Sequence, residues 1–157
     1  MKVREVAPNT NTRGLLAGAQ FADAYRVTVA GDGIDARRAA NMALIYSPRW
    51  MTVLLQLRNY LVAPFGLKTP APTSAADADT IGIFPVLSDT PNRLVAGLGD
   101  KHLDFRVVVD VAASGLGQEV TLTTLVLTHN LFGRAYLTVI KPFHRLVARA
   151  KLRHVAA

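Results

Sequence analysis

The sequence predicts an α+β domain in which an antiparallel sheet of about five strands packs against a long C-terminal helix. Three observations support this prediction: closely spaced alternating segments between residues 81 and 129, short polar loops between them, and an amphipathic stretch after residue 133. Strands in series with helices on either side are typical of α+β folds. At 157 residues the chain has the length of one domain, so we expect a single domain over residues 1–157.

The first part of the chain predicts one strand and one helix after a loose lead-in over residues 1–18, which are rich in Asn, Thr, Gly and Pro. Phe21–Ala30 alternates and predicts the first strand. Asp35 is suited to cap a helix that continues to about Tyr46.

A second short helix is predicted directly after the first. Ser47 is a capping residue and Pro48 suits the first helical position, because its missing N–H has no partner there anyway. The apolar stripe that follows ends near Pro64. Residues 69–80 are of low complexity and predict a flexible loop.

Four further strands are predicted in the second half of the chain. Short loops containing Gly or Asp-Thr-Pro-Asn favour antiparallel hairpins between them. Because Pro85 lacks an N–H donor, we expect its strand to be an edge or to contain a bulge. The four strands are Ile81–Ser88, Arg93–Leu98, His102–Ala112 and Gln118–His129.

The last predicted helix, Arg134–Val155, is amphipathic, and Pro142 inside it predicts a kink or a break. Its apolar face comprises Tyr136, Val139, Ile140, Phe143, Leu146, Val147 and Ala150. Its basic face comprises Arg134, Lys141, Arg145 and Arg149, and we interpret it as a solvated surface.

Composition excludes several classes of protein. There is no cysteine, so disulfide scaffolds, thiolate metal sites and cysteine nucleophiles are excluded. No apolar run approaches the ~20 residues that a spanning helix needs, and we expect a cytoplasmic protein without a membrane span. The net charge of +7 is concentrated after Glu119. Without a nucleic-acid-binding motif beside it, this charge does not favour nucleic acid as a partner.

Seven short motifs lie between residues 47 and 146: Ser47-Pro48-Arg49-Trp50, Leu57-Arg58-Asn59, Phe65-Gly66-Leu67, Gly82-Ile83-Phe84-Pro85-Val86, Asp100-Lys101-His102-Leu103-Asp104-Phe105-Arg106, Gly133-Arg134-Ala135-Tyr136-Leu137 and Lys141-Pro142-Phe143-His144-Arg145-Leu146. These motifs resemble the DUF2867 family, bacterial proteins of unknown function. The order of elements is similar to the helix-grip superfamily (START / Bet v 1-like, SRPBCC). There a curved sheet wraps a C-terminal helix, and two short helices follow the first strand.

The resemblance implies a fold that encloses an apolar cavity and binds hydrophobic small molecules or lipids. Some members of the wider superfamily are cyclases or dehydratases, so fold alone does not exclude catalysis. No residue pattern predicts a cofactor. The sequence leaves the oligomeric state open, a dimer included.

Three polar residues of one predicted strand are candidates for catalysis. His102, Asp104 and Arg106 are two residues apart and therefore share a face, opposite Phe105. In one interpretation Asp104 orients His102 for general-base work and Arg106 fixes an anion. The alternative is an ordinary polar face on a half-buried strand.

His144 flanks the apolar face of the last helix and is a second candidate, as an acid, base or ligand donor; the alternative is a packed boundary histidine. No histidine belongs to a metal-binding spacing, so no metal site is predicted. Arg134 is unfavourable at a helix N-terminus unless an anion lies near it. The candidate ligand-binding residues are Trp50, Phe84, Phe105, Arg106, Arg134, Tyr136, Ile140 and Phe143.

Three functions follow as hypotheses. The first is a cavity protein that binds a hydrophobic or amphipathic, lipid-like molecule between the sheet and the last helix. The second is an enzyme of the polyketide cyclase/dehydratase type that uses His102–Asp104 or His144. The third is an anion-binding module that uses the basic face of the last helix.

Overall fold

A computed structural model describes residues 3–8, 12, 14–31, 33–45, 80–81, 84–99, 103–115 and 117–156. The second predicted helix after Ser47, residues 69–79 of the loop predicted over residues 69–80, Trp50 and His102 lie outside the described residues. The last residue of that predicted loop, Thr80, instead begins a strand. In chain order the elements are β1 (Arg4–Val6), β2 (Phe21–Val29), α1 (Ala36–Ile45), β3 (Thr80–Ile81), β4 (Phe84–Thr90), β5 (Arg93–Gly99), β6 (Leu103–Ser114), β7 (Gly117–Thr128) and α2 (Leu131–Ala156).

The strands form one antiparallel sheet in the order β1-β2-β7-β6-β5-β4-β3. The predicted α+β class with a C-terminal helix is confirmed, but the count of about five strands is wrong. The sheet has six strands when it is followed across from β1 at one edge to β4. The two-residue strand β3 pairs with β4 and makes a seventh. Both additional strands are too short for an alternating pattern to reveal them. Beyond Pro85, the register of β4 shifts between Val86 and Ser88.

Strand alternation divides the sheet into two unlike faces. The helical face, defined as the side covered by α1 and α2, carries the buried apolar residues of the central strands. They include Val27 of β2, Val109 of β6 and Leu122 of β7. The other side, called the outer face, carries charged and hydroxyl side chains together with the buried apolar residues Val95, Val108 and Leu125.

α1 is capped as its sequence predicts. Asp35 Oδ1 accepts a hydrogen bond of 2.8 Å from the backbone N–H of Arg38, which satisfies one of the unpaired donors at the helix start. The fully buried side chains among the described residues of α1 are alanines, so the helix packs closely on the neighbouring strands. These residues are Ala36, Ala39, Ala40 and Ala43.

α2 differs from its prediction in three ways. It begins one turn earlier than expected, because Asn130 Oδ1 accepts a hydrogen bond of 2.9 Å from the N–H of Gly133. It then continues through Pro142 as one helix of 26 residues. Its buried face is also rotated from the predicted one: Phe143 and Leu146 are 49% and 58% exposed. The buried residues are Leu137, Ala148, Leu152 and Val155.

The N-terminal segment covers part of the outer face, where a loose lead-in was expected. After β1, the buried residues Thr12 and Leu16 belong to this segment. Thr12 Oγ1 accepts a hydrogen bond of 2.9 Å from Arg93 Nη2, and Gln20 Oε1 accepts one of 2.6 Å from the N–H of Thr128. These bonds tie the segment to β5 and β7.

Candidate functional site

An open cleft of about 480 Å³ lies between β2 and α2. β1 pairs with β2 only from Ala24 onwards, so no strand of the described residues neighbours the preceding residues of β2 on that side. One turn of α2 passes above them. The cleft is lined by Glu5, Phe21, Ala22, Asp23, Lys141, Pro142 and Arg145.

A histidine–carboxylate pair lies beside this cleft. His144 Nε2 is 3.3 Å from Asp23 Oδ1, and their side chains are only 20% and 12% exposed. The imidazole ring meets Phe21 edge to face, with 5.8 Å between ring centroids and an angle of 83°. Asp23 reaches the helical face because it alternates in phase with Phe21 and Tyr25.

The basic side of α2 rests on the aromatic residues of β2. Lys141 Nζ lies 5.4 Å from the centroid of Phe21, and Arg149 Cζ lies 5.3 Å from the centroid of Tyr25. The helix rises ~6 Å over four residues, and the strand advances ~6.8 Å over two residues. Basic residues at every fourth position of α2 therefore stay aligned with every second residue of β2. Lys141 is nevertheless exposed, as the interpretation of this side as a solvated surface predicts, whereas Arg149 is half-buried.

Arg145 completes the charged rim of the cleft. Arg145 Nη2 lies 3.8 Å from Glu5 Oε2 of β1, with both side chains largely exposed. Among the described residues, Lys141 makes no ion pair with a carboxylate. The cleft therefore holds one cation opposite a carboxylate, Arg145, and one, Lys141, that has no carboxylate partner in the described part of the chain.

Burial shifts the pKa of two groups outside the cleft, the Tyr25 hydroxyl and the Lys151 amine. Burial raises the pKa of Tyr25, and the negative charges of Asp23 and Glu5 raise it further, against the opposing effect of Arg145 and Arg149. Burial lowers the pKa of Lys151 to about 8. Lys151 Nζ donates a hydrogen bond of 3.4 Å to the carbonyl of Ala43, near the end of α1.

A family model described as a protein of unknown function (DUF2867) matches residues 15–151. The chain belongs to the DUF2867 family. No curated protein matches the sequence. A crystal structure of a protein from Rhodobacter sphaeroides is similar to the chain, with a TM-score of 0.44 and 13% sequence identity over 99% of this chain and 95% of that chain.

In this DUF2867 member, Asp104 lies away from the cleft. Asp104 Oδ2 is 3.2 Å from His129 Nε2, on the outer face of the sheet. His102, its predicted partner, lies outside the described residues. Asp104 is therefore not a candidate for the cleft, and the role of His102 stays a prediction.

Arg106 and Phe105 do not share a site, although both were candidate ligand-binding residues. Successive residues of β6 point to opposite sides of the sheet, so Phe105 packs against the core and Arg106 lies on the outer face. Arg106 Nη1 donates a hydrogen bond of 3.0 Å to the carbonyl of Phe105 and passes over Gly97. Arg106 therefore lies on the face of the sheet opposite the cleft and does not line it.

The remaining predicted contacts have mixed outcomes. Arg134 is exposed and follows the first turn of α2, so the argument from a cation at the helix N-terminus does not hold. Phe143 is exposed on the side away from β2. The side chains of Phe84, Tyr136 and Ile140 lie outside the described part of the structure.

Sequence reasoning missed the residues on the β2 side of the cleft. The available signal was Asp23, an acid in phase with two aromatic residues of a strand whose face is otherwise apolar. A second signal was the spacing of four residues from Lys141 to Arg145 and Arg149. In the described ranges, no three histidines or carboxylates are grouped to hold a metal ion, and no helix there is long and apolar enough to cross a membrane.

Proposed function

We propose that this protein binds an amphipathic small molecule in the cleft between β2 and α2. The observation that carries the proposal is the cleft itself, whose volume of about 480 Å³ suits a small ligand. Ligand pockets typically have ~300–1,000 Å³ and combine an apolar lining with a few polar groups. Phe21, Ala22 and Pro142 supply the apolar part here. A ligand held between the sheet and the last helix also agrees with the helix-grip placement, which we propose for the fold.

The charges of the cleft indicate the polar end of the ligand. Arg145 faces Glu5 and His144 faces Asp23, whereas Lys141 has no carboxylate partner among the described residues. Its ammonium group is instead held above the ring of Phe21. A ligand that places an apolar body on Phe21 and one acidic group at Lys141 would satisfy both features. We therefore propose an amphipathic monoacid.

A pair of fluorescent probes tests this proposal. Dansyl-undecanoic acid has an apolar body and a carboxylate, and its methyl ester has the same body without the charge. We expect Lys141→Met to weaken binding of the acid roughly tenfold, since a charge-assisted hydrogen bond contributes ~1.5–3 kcal/mol, and to leave the ester unaffected. Phe21→Ala should weaken both probes.

Leu87→Ala is the matched control, because Leu87 is 54% exposed on β4, at the far side of the sheet. It should leave both affinities unchanged. Native mass spectrometry then tests whether an acidic amphipathic molecule co-purifies with the protein. Equal affinities in all three variants, or no saturable binding of either probe, would rule the cleft out as the ligand site.

The His144–Asp23 pair favours a second candidate function, an enzyme of the polyketide cyclase/dehydratase type. A carboxylate that orients an imidazole prepares it for proton transfer. Under this proposal His144 moves a proton on a ligand bound in the cleft. His144→Gln should then abolish conversion of the bound compound while leaving its affinity within about threefold of the parent protein. A compound that is released unchanged by the parent protein excludes the candidate.

A further inference from the structure

The main chain of β2 contributes to the cleft, in addition to the side chains that line it. Ala22 lines the cleft together with Phe21 and Asp23. Successive side chains of a strand point to opposite faces, and Ala24, two residues further on, lines a cavity of about 290 Å³ on the outer face. The side chain of Ala22 therefore points to the outer face, and what Ala22 presents at the edge of the sheet is its main chain.

The direction of the main-chain groups in β7 follows from the hairpin that joins it to β6. Ser114 and Gly117 flank a two-residue loop and are paired, so they exchange hydrogen bonds with each other. Such hydrogen-bonded pairs recur at every second residue of an antiparallel ladder. Arg106 and Leu125 are paired eight residues further along, so Leu125 directs its N–H and C=O to β6.

The main-chain groups of Ala22 therefore point away from β7. Leu125 is the cross-strand partner of Ala22, and its own groups are already directed to β6. The next residue, Val126, is the one that faces β2, since its carbonyl accepts a hydrogen bond of 2.9 Å from the N–H of Gln20, just before β2. The N–H and C=O of Ala22 thus point to the other side of β2, where β1 lies.

β1 ends before it reaches Ala22. Its register joins Val6 to Ala24, so Pro8 would be the residue opposite Ala22. Pro8 has no N–H to donate, and Ala7 before it already lines the outer-face cavity. Among the described residues, none forms a backbone hydrogen bond to this side of Ala22. One donor and one acceptor of β2 are therefore directed to the open edge beside the cleft.

These two groups require a complementary pair on the ligand. In a hydrogen-bonded antiparallel pair, the opposite residue supplies its own N–H and its own C=O. An N-acylated α-amino acid is a small molecule with this pattern: its amide N–H donates to the carbonyl of Ala22, and one carboxylate oxygen accepts from the N–H of Ala22. The second carboxylate oxygen remains for Lys141, and the acyl chain remains for the ring of Phe21, which line the same cleft.

We propose that the ligand of the cleft is an N-acylated α-amino acid, which adds to the edge of β2 at Ala22 as a single strand residue would. Recognition of this kind takes affinity from main-chain hydrogen bonds and specificity from the pockets beside them. The inference rests on the proposed function, because it names the chemical class of the amphipathic monoacid.

Isothermal titration calorimetry of the full chain with two matched compounds tests the inference. N-decanoylglycine has the amide N–H, whereas decanoyloxyacetic acid has the same chain and carboxylate but an ester oxygen in place of the N–H. We expect the ester to bind about five- to tenfold more weakly, as the loss of one hydrogen bond implies. Lys141→Met should weaken both compounds, and Leu87→Ala, on the far side of the sheet, should weaken neither.

Amide signals of the ¹⁵N-labelled chain show where the compound is bound. With N-decanoylglycine, we expect the amide signal of Ala22 to shift and its hydrogen exchange to slow. The amide of Leu94, in β5, is the control and should keep its position.

The outcomes separate this inference from the proposed function. Equal affinities of the two compounds, or an Ala22 amide that does not shift at saturation, would overturn the inference while the cleft stays the site of an amphipathic acid. If neither compound binds saturably, the inference and the proposed function both fail.

Discussion

Alternate residues of β7 face two different environments, although they belong to the same strand. Val120 and Leu122 face the helices and belong to the apolar core. Glu119, Thr121 and Thr123 face outward and line a polar cavity. The difference arises because helices cover one side of the sheet, whereas a short N-terminal segment covers part of the other. The helical side therefore offers a cleft lined by both apolar and charged residues, and the outer side offers paired charges and hydroxyls.

The two faces also treat cations differently. On the helical side, Lys141 and Arg149 lie over aromatic rings. On the outer side, Arg93 forms two close contacts with one carboxylate. A cation over a ring keeps hydrogen-bond donors for another molecule, whereas a doubly paired guanidinium has already used most of its own. This difference is why an acidic ligand is proposed for the cleft on the helical side.

The largest expected effect tests which side of α2 packs on the sheet. Leu152 is fully buried, so Leu152→Ala should lower the free energy of unfolding by about 3–4 kcal/mol. Leu146→Ala, at an exposed position of the same helix, should change it by less than about 0.5 kcal/mol. Urea unfolding measures both. The reverse order would restore the predicted apolar face and contradict the observed packing.

A pH-dependent effect comes next, from the buried amine of Lys151. Its pKa is about 8 in the folded protein and 10.5 for a lysine exposed to water, so the unfolded chain binds more protons between these values. Stability should therefore rise with pH across this window, by up to about 1.4 kcal/mol per pH unit from this group. Lys151→Met removes the cost of burying the charge and should stabilise the protein at pH 7 by roughly 3 kcal/mol.

The comparison of Lys151→Met with the parent protein serves as its own control. Tyr25 and all other titratable groups are present in both proteins, so their contributions cancel in the difference in stability. The advantage of Lys151→Met should shrink between pH 8 and 10.5. A constant advantage over this range, measured by urea unfolding at each pH, would mean that the amine is not desolvated.

The outer face has its own packing requirement at Gly97. A Cβ atom there would lie 2.3 Å from the carbonyl oxygen of Phe105 and 2.9 Å from Arg106 Cδ. Gly97→Ala should therefore destabilise the protein by about 2 kcal/mol through overpacking. Gly115→Ala, where a Cβ meets nothing within 4 Å, should be nearly neutral. Equal melting temperatures for the two variants would show that Arg106 does not lie over Gly97.

The smallest expected effects compare the two carboxylates of the cleft. Asp23 is mostly buried and lies close to His144, so Asp23→Asn should cost about 1 kcal/mol of stability. Glu5 is exposed opposite Arg145, and Glu5→Gln should cost less than about 0.5 kcal/mol. Thermal unfolding of both variants ranks the pairs. A larger loss of stability for Glu5→Gln than for Asp23→Asn would contradict the conclusion that Asp23–His144 is the buried pair.

The sequence predicted helices and strands with a clear local pattern better than the short strands that form only by pairing with a neighbour. β5, β6, β7 and α1 were found because alternation and a capping aspartate are local signals. β1 and β3 were missed, because three and two residues carry no period and form strands only through their neighbours.

The cleft could not be predicted from local sequence patterns, because it depends on which side of α2 packs against β2. α2 has apolar residues on more than one side, and the choice between them depends on the side chains that β2 presents. Phe21, Asp23 and Tyr25 hold the basic side of α2, which turns Phe143 and Leu146 outward. His144 was a candidate from sequence, but its partner Asp23 lies 121 residues away and no spacing indicates the pair.

The most direct test of the account is where an amphipathic acid sits on the folded protein. Intermolecular nuclear Overhauser effects between dansyl-undecanoic acid and the full chain report this at single protons. The account predicts contacts from the apolar body of the probe to the ring of Phe21, and from the carbons next to its carboxylate to the ε protons of Lys141. Contacts only to residues elsewhere, such as the outer face around Thr123, would contradict it.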